Sequence, residues 1–458
     1  MYLGGNTVLN IIIVGCGKVG RVLTQQLVEG GHNVTVVDTD ADKINSLSER
    51  HDVMGVIGNG ATHAVLQEAG IDKANLLIAV TGSDERNLLC CLIAKKAGCQ
   101  TIARVRSPQY SVEAPYLKDE LGLAMVINPE QAAAKEIERV LRFPSAIKID
   151  TFAQGRIEML KFRLPEGSPL CGMAIRDISS KLHCDILVCT VERGEEAFIA
   201  KGDLVFQERD VISIIAEPKT AFNFFRKINY KAQPVHDVLI VGGGDITLYL
   251  CELLEKDGIS ATVIEKDEAR AEYLSDVLRS TNVIHEDAVS QDVLMQENVE
   301  KAEAFVALTN LDEENILLSL FAKSVSRAKI VTKINRIDFD SVIDTLDLDT
   351  IIYPKSVTSE HIIRYVRTTK KTLGTNLETL YTLIKGQAEA VEFIVKQPSA
   401  LTAAPLCELN LHENVLIAAI IRNGKVILPR GGDSIMVGDS VVVVSDLIGL
   451  HDMTEILR

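Results

Sequence analysis

The sequence predicts an α/β chain of two doubly wound parallel-sheet domains, each followed by a small α+β subdomain. Three observations carry the prediction. A glycine-rich turn stands between a short apolar run and a helical pattern, strand and helix patterns alternate after it, and the whole series recurs in the second half.

Taken in order, Asn10–Val14 is an apolar run ending in Gly15-Cys16-Gly17-Lys18-Val19-Gly20. A helical pattern follows through Leu27, and Asn33–Val37 ends in Asp38. Strand, glycine turn, helix, strand and acid within ~30 residues is a Rossmann-like nucleotide-binding unit. Val53–Ile57 then ends in Gly58-Asn59-Gly60, Leu76–Val80 ends in Thr81-Gly82-Ser83-Asp84, and Thr101–Val105 follows a further helix. The series returns after Gln233-Pro234. Val238–Val241 ends in Gly242-Gly243-Gly244-Asp245-Ile246-Thr247, Ala261–Ile264 ends in Glu265, and His285-Glu286-Asp287-Ala288 replaces the Gly-Asn-Gly turn. Ala304–Leu308 ends in Thr309, and Ile330–Ile334 carries Lys333. The offset is 227 from Gly15 to Gly242 and 228 from Thr81 to Thr309, a constancy that marks tandem duplication.

Each α/β half is followed by a stretch of different texture. Ile157–Leu164, Ile186–Val191 and Val211–Ala216 read as strands, with a helix-like piece at Met173–Leu182 and turns at Gly202-Asp203 and Arg209-Asp210. Val391–Val395, Val415–Ile421 and Val441–Ser445 are their counterparts. The expected domains are 8–141 and 235–366 (parallel-sheet), and 150–230 and 376–458 (small), with linkers at Arg142–Asp150, Glu217–Pro234 and Arg367–Asn376.

The 458 residues are 47% hydrophobic and 24% charged, ordinary globular material in an amount that calls for several domains. Apolar runs such as Ile11–Val14 and Val441–Val444 fall far short of the ~20 residues that cross a bilayer. Met1–Thr7 reads as a short flexible start without a basic-plus-apolar leader, so a cytoplasmic location is expected. A net charge of −15 argues against nucleic acid as the main partner, because counterion release needs clustered Lys and Arg. The nine cysteines form no CxxC pair and the nine histidines no HxxxH spacing, so neither a metal site nor a disulfide framework is expected.

The first fingerprint has a chemical logic. Gly15 makes the turn, Gly17 keeps a side chain away from a pyrophosphate at the helix N-terminus, and Gly20 lets helix and strand approach. Asp38 stands where a carboxylate accepts ribose hydroxyls and repels a 2′-phosphate. Asn59, Thr81, Asp84 and Arg104 follow later strand ends that converge on the same crevice. Asp84 is either a ligand contact or a helix N-cap, and Arg104 either a phosphate-binding cation or a surface ion-pair partner. Cys16 is either a reactive thiol or a core residue. In the second copy Thr247 takes the third glycine's place and is expected to loosen or shift the strand–helix contact. Glu265 replaces the acid, Asp287 adds charge beside it, and Lys333 keeps a cation. That site either binds a nucleotide with altered preference or is vestigial.

At this point the residues carry a specific likeness. Gly15-x-Gly17-x-x-Gly20 with Val36-Val37-Asp38, Ala79-Val80-Thr81-x-x-Asp84-Glu85-x-Asn87 and Ala103-Arg104-Val105-Arg106-Ser107-Pro108 resemble the regulator-of-potassium-conductance domain. The second copy reads Ala307-Leu308-Thr309-x-x-Asp312-Glu313-x-Asn315. Two such N-type domains, each with a small C-subdomain, resemble the TrkA family of bacterial Trk potassium-uptake regulators over residues 8–458. The resemblance implies a peripheral ring on the inner face of the membrane. It further implies a homo-oligomer, a tetramer in the family, beneath a potassium-translocating subunit of TrkH/TrkG type. It also implies NAD(H), and in several members ATP or ADP, at the strand ends. Carried over by position, the first ligand set is Gly15, Cys16, Gly17, Lys18, Val19, Asp38, Thr81, Gly82 and Arg104. The second is Gly242, Gly243, Gly244, Asp245, Ile246, Glu265, Thr309 and Lys333.

Two other readings compete. A regulator of another cation transporter, such as an antiporter, shares every motif except the two-unit architecture. An NAD-dependent oxidoreductase shares the fingerprint but needs a proton-transfer group beside the nicotinamide. Its one tempting pattern, Tyr381-Thr382-Leu383-Ile384-Lys385, falls in an apparent strand beyond the second N-domain and reads as coincidence. No GxxxxGK[ST] occurs, which disfavours a P-loop ATPase.

Overall fold

The protein is seen in a computed structural model that describes residues 8–144, 146–194, 196–228, 235–335, 343, 346, 348–368, 375–384, 387–450 and 452–458. Met1–Thr7, Gln233, Pro234 and Lys385 lie outside the described residues, as does most of the expected linker after Arg367.

Runs of Val and Ile form the strands, because β-branched side chains are stiff and pack well on a pleated face. The first sheet holds β1 (Asn10–Val14), β2 (Asn33–Asp38), β3 (Met54–Ile57), β4 (Leu76–Ala79), β5 (Gln100–Arg104) and β6 (Met125–Ile127), all parallel in the order β3-β2-β1-β4-β5-β6. An antiparallel sheet follows, built from β7 (Lys148–Phe152), β8 (Ile157–Arg163), β9 (Leu187–Arg193), β10 (Glu196–Ile199) and β11 (Val211–Ala216), ordered β10-β9-β11-β8-β7. The second half repeats both. Its parallel sheet holds β12 (Asp237–Val241), β13 (Ser260–Glu265), β14 (Asn282–His285), β15 (Ala304–Ala307), β16 (Lys329–Lys333) and β17 (Thr350–Ile352). Its antiparallel sheet holds β18 (Thr375–Leu383), β19 (Ala388–Val395), β20 (Val415–Arg422), β21 (Lys425–Ile427) and β22 (Ser440–Ser445). Strand orders β14-β13-β12-β15-β16-β17 and β18-β19-β22-β20-β21 match the first half position for position.

Two of the expected linkers carry structure. Lys148–Phe152, which begins inside the expected linker Arg142–Asp150, pairs with β8 and opens the first small sheet. The stretch after Glu217 contains the helix Pro218–Lys227, with Pro in its first turn and Ala221, Phe224 and Phe225 buried.

The halves exchange their closing helices. Ala133, Ile137 and Leu141 of helix Pro129–Arg142 join the hydrophobic cluster of the second parallel sheet, with Val238, Ile240 and Leu250. Reciprocally, Ile362 and Val366 of helix Pro354–Thr368 join Ile11, Ile13 and Leu23 in the first. A fully buried Ile, Leu or Val stabilises by roughly 1.5–3 kcal/mol, so separating the halves would cost several such terms on each side. The small sheets also share a core, with Phe152, Met159 and Ile215 against Tyr381, Ala390 and Val442. No described helix is long and apolar enough to cross a membrane.

Candidate functional site

Strand register places the fingerprint residues along one edge. Val14 pairs with Val37 and Ala79, Ala79 with Ala103, and Asp38 with Ile57, so Gly15, Asp38, Gly58, Thr81 and Arg104 all emerge at the carboxyl ends of the first sheet. They border a cavity of about 580 Å³, lined among others by Gly15, Gly17, Lys18, Val19, Asp38, Asn59, Thr81, Gly82 and Arg104. That volume lies within the ~300–1,000 Å³ of small-molecule sites.

The three glycines are glycines for different reasons. Gly15 has φ 106°, and a β-carbon on it would lie 2.9 Å from the Thr81 amide. A β-carbon on Gly20 would run into the Gly15 carbonyl. One on Gly17 would meet nothing within 4 Å, so the protein itself does not require glycine there. Gly17 instead leaves the start of helix Lys18–Glu29 bare, with N–H groups and helix dipole open to an anion.

Asp38 is held by the loop it serves. Its Oδ2 accepts the Cys16 amide at 2.7 Å and its Oδ1 the Asp40 amide at 3.0 Å. A carboxylate has about four lone-pair sites, which leaves two for a ribose diol. Arg104 is half-buried, its Nε has no hydrogen-bond partner among the described residues, and burial lowers its pKa. A desolvated guanidinium facing a cavity is a ready partner for phosphate. The surface ion-pair reading of Arg104 therefore does not fit. In all, the cavity sets six cations (Lys18, Lys43, Arg86, Arg104, Arg106 and Lys355) against two carboxylates, Asp38 and Glu130. Lys355 and Asn335 come from the second half, so both halves line this cleft.

Three expected site residues stand aside. Asp84 neither lines the cavity nor caps the helix. Ser83 caps helix Asp84–Lys96 by accepting the Arg86 amide, while the Asp84 carboxylate accepts the Arg106 and Ser107 amides at 2.9 and 2.8 Å. Gly20 lies beneath the loop. The Cys16 side chain is buried in the core and desolvation pushes its thiol up to about 12, which removes the reactive-thiolate option. One residue outside the expected set matters. Buried Asn87 accepts the Thr81 amide at 2.8 Å and donates to the Arg104 carbonyl at 2.9 Å, joining the two strand ends. Asn315 does the same for Thr309 and Lys333, and the repeated T-x-x-D-E-x-N spacing was the available signal.

The second cleft is chemically different. About 200 Å³ is lined by Gly242, Gly243, Gly244, Glu265, Asp287 and Thr309, with Glu286, Glu314 and a single cation, Lys266. Asp245, Ile246 and Lys333 do not line it. Ile246 is in the shared core, and Lys333 is buried with Nζ donating to the Leu308 carbonyl at 3.1 Å. Arg270, outside the cleft's lining, donates to the Gly243 carbonyl and to Asp245, 3.0 Å away, which ties its guanidinium to the glycine loop. Thr247 does not simply loosen the strand–helix contact. It is buried and its hydroxyl donates to the Gly242 carbonyl across the turn.

The TrkA-N domain family matches residues 11–129 and 238–354, and the TrkA-C domain family residues 159–228 and 390–458. A Trk system potassium uptake protein TrkA homolog of Archaeoglobus fulgidus is 31% identical over 452 residues, covering 98% of this chain and 100% of that protein. The Trk system potassium uptake protein TrkA of Halomonas elongata is 30% identical, covering 98% and 99%. Among solved structures, the GsuK RCK domain superposes with a TM-score of 0.63 at 19% identity, over 98% of this chain and 94% of that one. The GsuK channel bound to NAD gives 0.62 at 18% identity, over 98% and 78%. At these identities the structures speak for the fold: two parallel-sheet domains, each with an antiparallel partner.

Proposed function

The chain belongs to the TrkA family, and from that premise we propose that it is the nucleotide-binding regulatory subunit of a Trk-type potassium-uptake system. In this reading it forms a homo-oligomeric ring on the inner face of the membrane, against a potassium-translocating subunit. NAD(H), ATP or ADP in the first cleft sets the state of the ring. The observation that carries the assignment is the first cleft itself: a bare helix N-terminus at Gly17, the Asp38 carboxylate, and the Arg104 guanidinium, its Nε without a partner among the described residues, around one cavity. The relatives' names support the transport system, and a GsuK channel bound to NAD and one bound to ADP support the ligand class on the same fold.

Because Lys355 and Asn335 reach the first cleft from the second half, a ligand there bears on how the halves sit together. A nucleotide shifts a two-state assembly only by its difference in affinity for the two states, and a cleft shared between halves supplies such a difference. We assign the phosphate-bearing ligand to the first cleft. Four carboxylates, Glu265, Glu286, Asp287 and Glu314, against the one cation Lys266 in its lining make the second a poor polyphosphate site. The non-enzymatic reading is supported by Tyr381, whose hydroxyl donates to the Thr151 carbonyl at 2.8 Å inside the interface of the small sheets.

The test is growth at limiting potassium in a bacterium lacking its own Trk regulator, combined with calorimetric titration of NADH, ATP and ADP. Expected are rescue by the natural chain, no rescue by Arg104→Gln, and nucleotide binding weakened in parallel. Rescue independent of nucleotide binding overturns the proposal, as does selective control of an antiporter instead.

A further inference from the structure

A second kind of cavity, of about 500 Å³, lies where helix Pro129–Arg142 hands the chain to the first small sheet. Arg139, Arg142, Phe143, Thr151, Glu158 and Pro218 line it, and none of them borders either glycine-loop cleft. Glu158, on β8, is 2% exposed. Its Oε1 accepts from Arg142 at 2.9 Å, while its Oε2 is buried with no hydrogen-bond partner among the described residues. A buried carboxylate oxygen left without a donor is an uncompensated desolvation cost that native structures rarely keep without a use.

The duplication supplies an internal control. Glu389, on β19, holds the same place in the second small sheet, and there the Gly449 amide donates to its Oε2 at 2.9 Å. In the first half the chain leaves β11 straight into helix Pro218–Lys227, and no such amide reaches Glu158. The arginines differ in the same way. Arg364, the counterpart of Arg139 on the exchanged helix, lies over the Tyr381 ring with its guanidinium carbon 4.2 Å from the centroid. The Arg139 side chain forms no hydrogen bond or ion pair among the described residues and acts on Glu158 only through space. Two charges that the second half uses internally thus line a cavity in the first.

We propose that this cavity binds a small zwitterion of amino-acid type, with its carboxylate on Arg139 and Arg142 and its ammonium on Glu158. A plain anion answers the arginines and leaves the Glu158 oxygen unpaired, and a plain cation does the reverse. A molecule with both charges satisfies both ends, each through charge-assisted hydrogen bonds. Phe143 and Pro218 supply apolar wall for an uncharged side chain. Such an occupant bridges the helix that carries Glu130 of the first cleft to the first small sheet. The site does not depend on the nucleotide reading.

The test is calorimetry on the full-length chain with each of the common amino acids, with succinate as the anion-only and putrescine as the cation-only control. At least one amino acid with an uncharged side chain binds saturably. Its affinity falls about ten-fold or more in Glu158→Gln and in Arg139→Gln, the loss expected for one charge-assisted bond, and is unchanged in Arg104→Gln. Far-UV circular dichroism checks that each variant is folded. Should either fail to fold, Glu158→Asp and Arg139→Lys replace it with the same expected loss. The proposal is overturned if no amino acid binds, if the variants bind as the natural chain does, or if succinate or putrescine binds as tightly.

Discussion

The Gly243 amide donates to the Glu265 carboxylate, and a β-carbon on Gly243 would lie 2.9 Å from that same carboxylate. In the first half the equivalent pair is Cys16 and Asp38, where the Cys16 amide donates the same hydrogen bond to the carboxylate at 2.7 Å. The acid gains a methylene and the loop residue loses its side chain, so each pair fits only as a pair. Gly243→Ala is therefore expected to destabilise by about 1–3 kcal/mol through overpacking, and Glu265→Asp by about 1 kcal/mol through the lost bond. The double change Gly243→Cys with Glu265→Asp, which rebuilds the first half's pair, should cost less than the sum. Urea midpoints of the three variants measure this, and strict additivity would show that the two residues are not coupled.

Arg104→Gln should weaken ADP and NADH binding about ten- to one-hundred-fold, the range for losing a hydrogen bond to a charged group in a partly desolvated site. Adenosine, which lacks phosphate, should bind equally to both proteins. Thermal stability should hold or rise, because the variant removes a half-buried charge whose Nε has no partner. Titration calorimetry with the three ligands decides it: an equal loss for adenosine would mean that Arg104 shapes the cleft rather than holding phosphate.

How much of this was legible beforehand follows from what local sequence encodes. The duplication, the strand ends and the approach at Gly17 follow from spacing and glycine chemistry, which act over a few residues. The exchange of helices Pro129–Arg142 and Pro354–Thr368 was not legible, because an amphipathic pattern records that a face is buried and not against what. For the same reason Lys355 was absent from the expected ligand set: it lies far along the chain, in the other half. Asp84 misled in a different way. An Asp near a helix start suits a cap, but here Ser83 caps and the carboxylate reaches the loop after β5.

Lys355 gives the prediction most particular to the exchanged architecture. Lys355→Gln should weaken binding of ADP and ATP several-fold, more for ATP, and leave adenosine unaffected. The difference between the proteins should shrink with added salt, since the Debye length falls from about 10 Å at 0.1 M to about 3 Å at 1 M. Calorimetry at two salt concentrations tests it. A salt-independent difference would assign Lys355 to packing instead of to the ligand.

Lys329 opens β16 at 8% exposure, and its ammonium donates to the Ala146 carbonyl at 2.8 Å, tying the second parallel sheet to the chain that leaves the first. Desolvation lowers its pKa from 10.5 to about 8, against a smaller opposing effect of Asp349. The sign follows from proton counts. Below pH about 8 the folded and unfolded chains both hold the proton, and the slope from this group is zero. Between about 8 and about 10.5 only the unfolded chain holds it, so stability rises with pH across that window. At 1.36 kcal/mol per unit the rise is on the order of 3 kcal/mol. Lys329→Met lacks this contribution, whatever the cysteines and tyrosines add in both proteins. Urea unfolding of the natural chain and the variant at pH 7.5 and 9.5 should therefore show a stability difference that shifts toward the natural chain at the higher pH. Parallel behaviour at both pH values would mean that Lys329 keeps its proton when folded, held by the Ala146 carbonyl and Asp349.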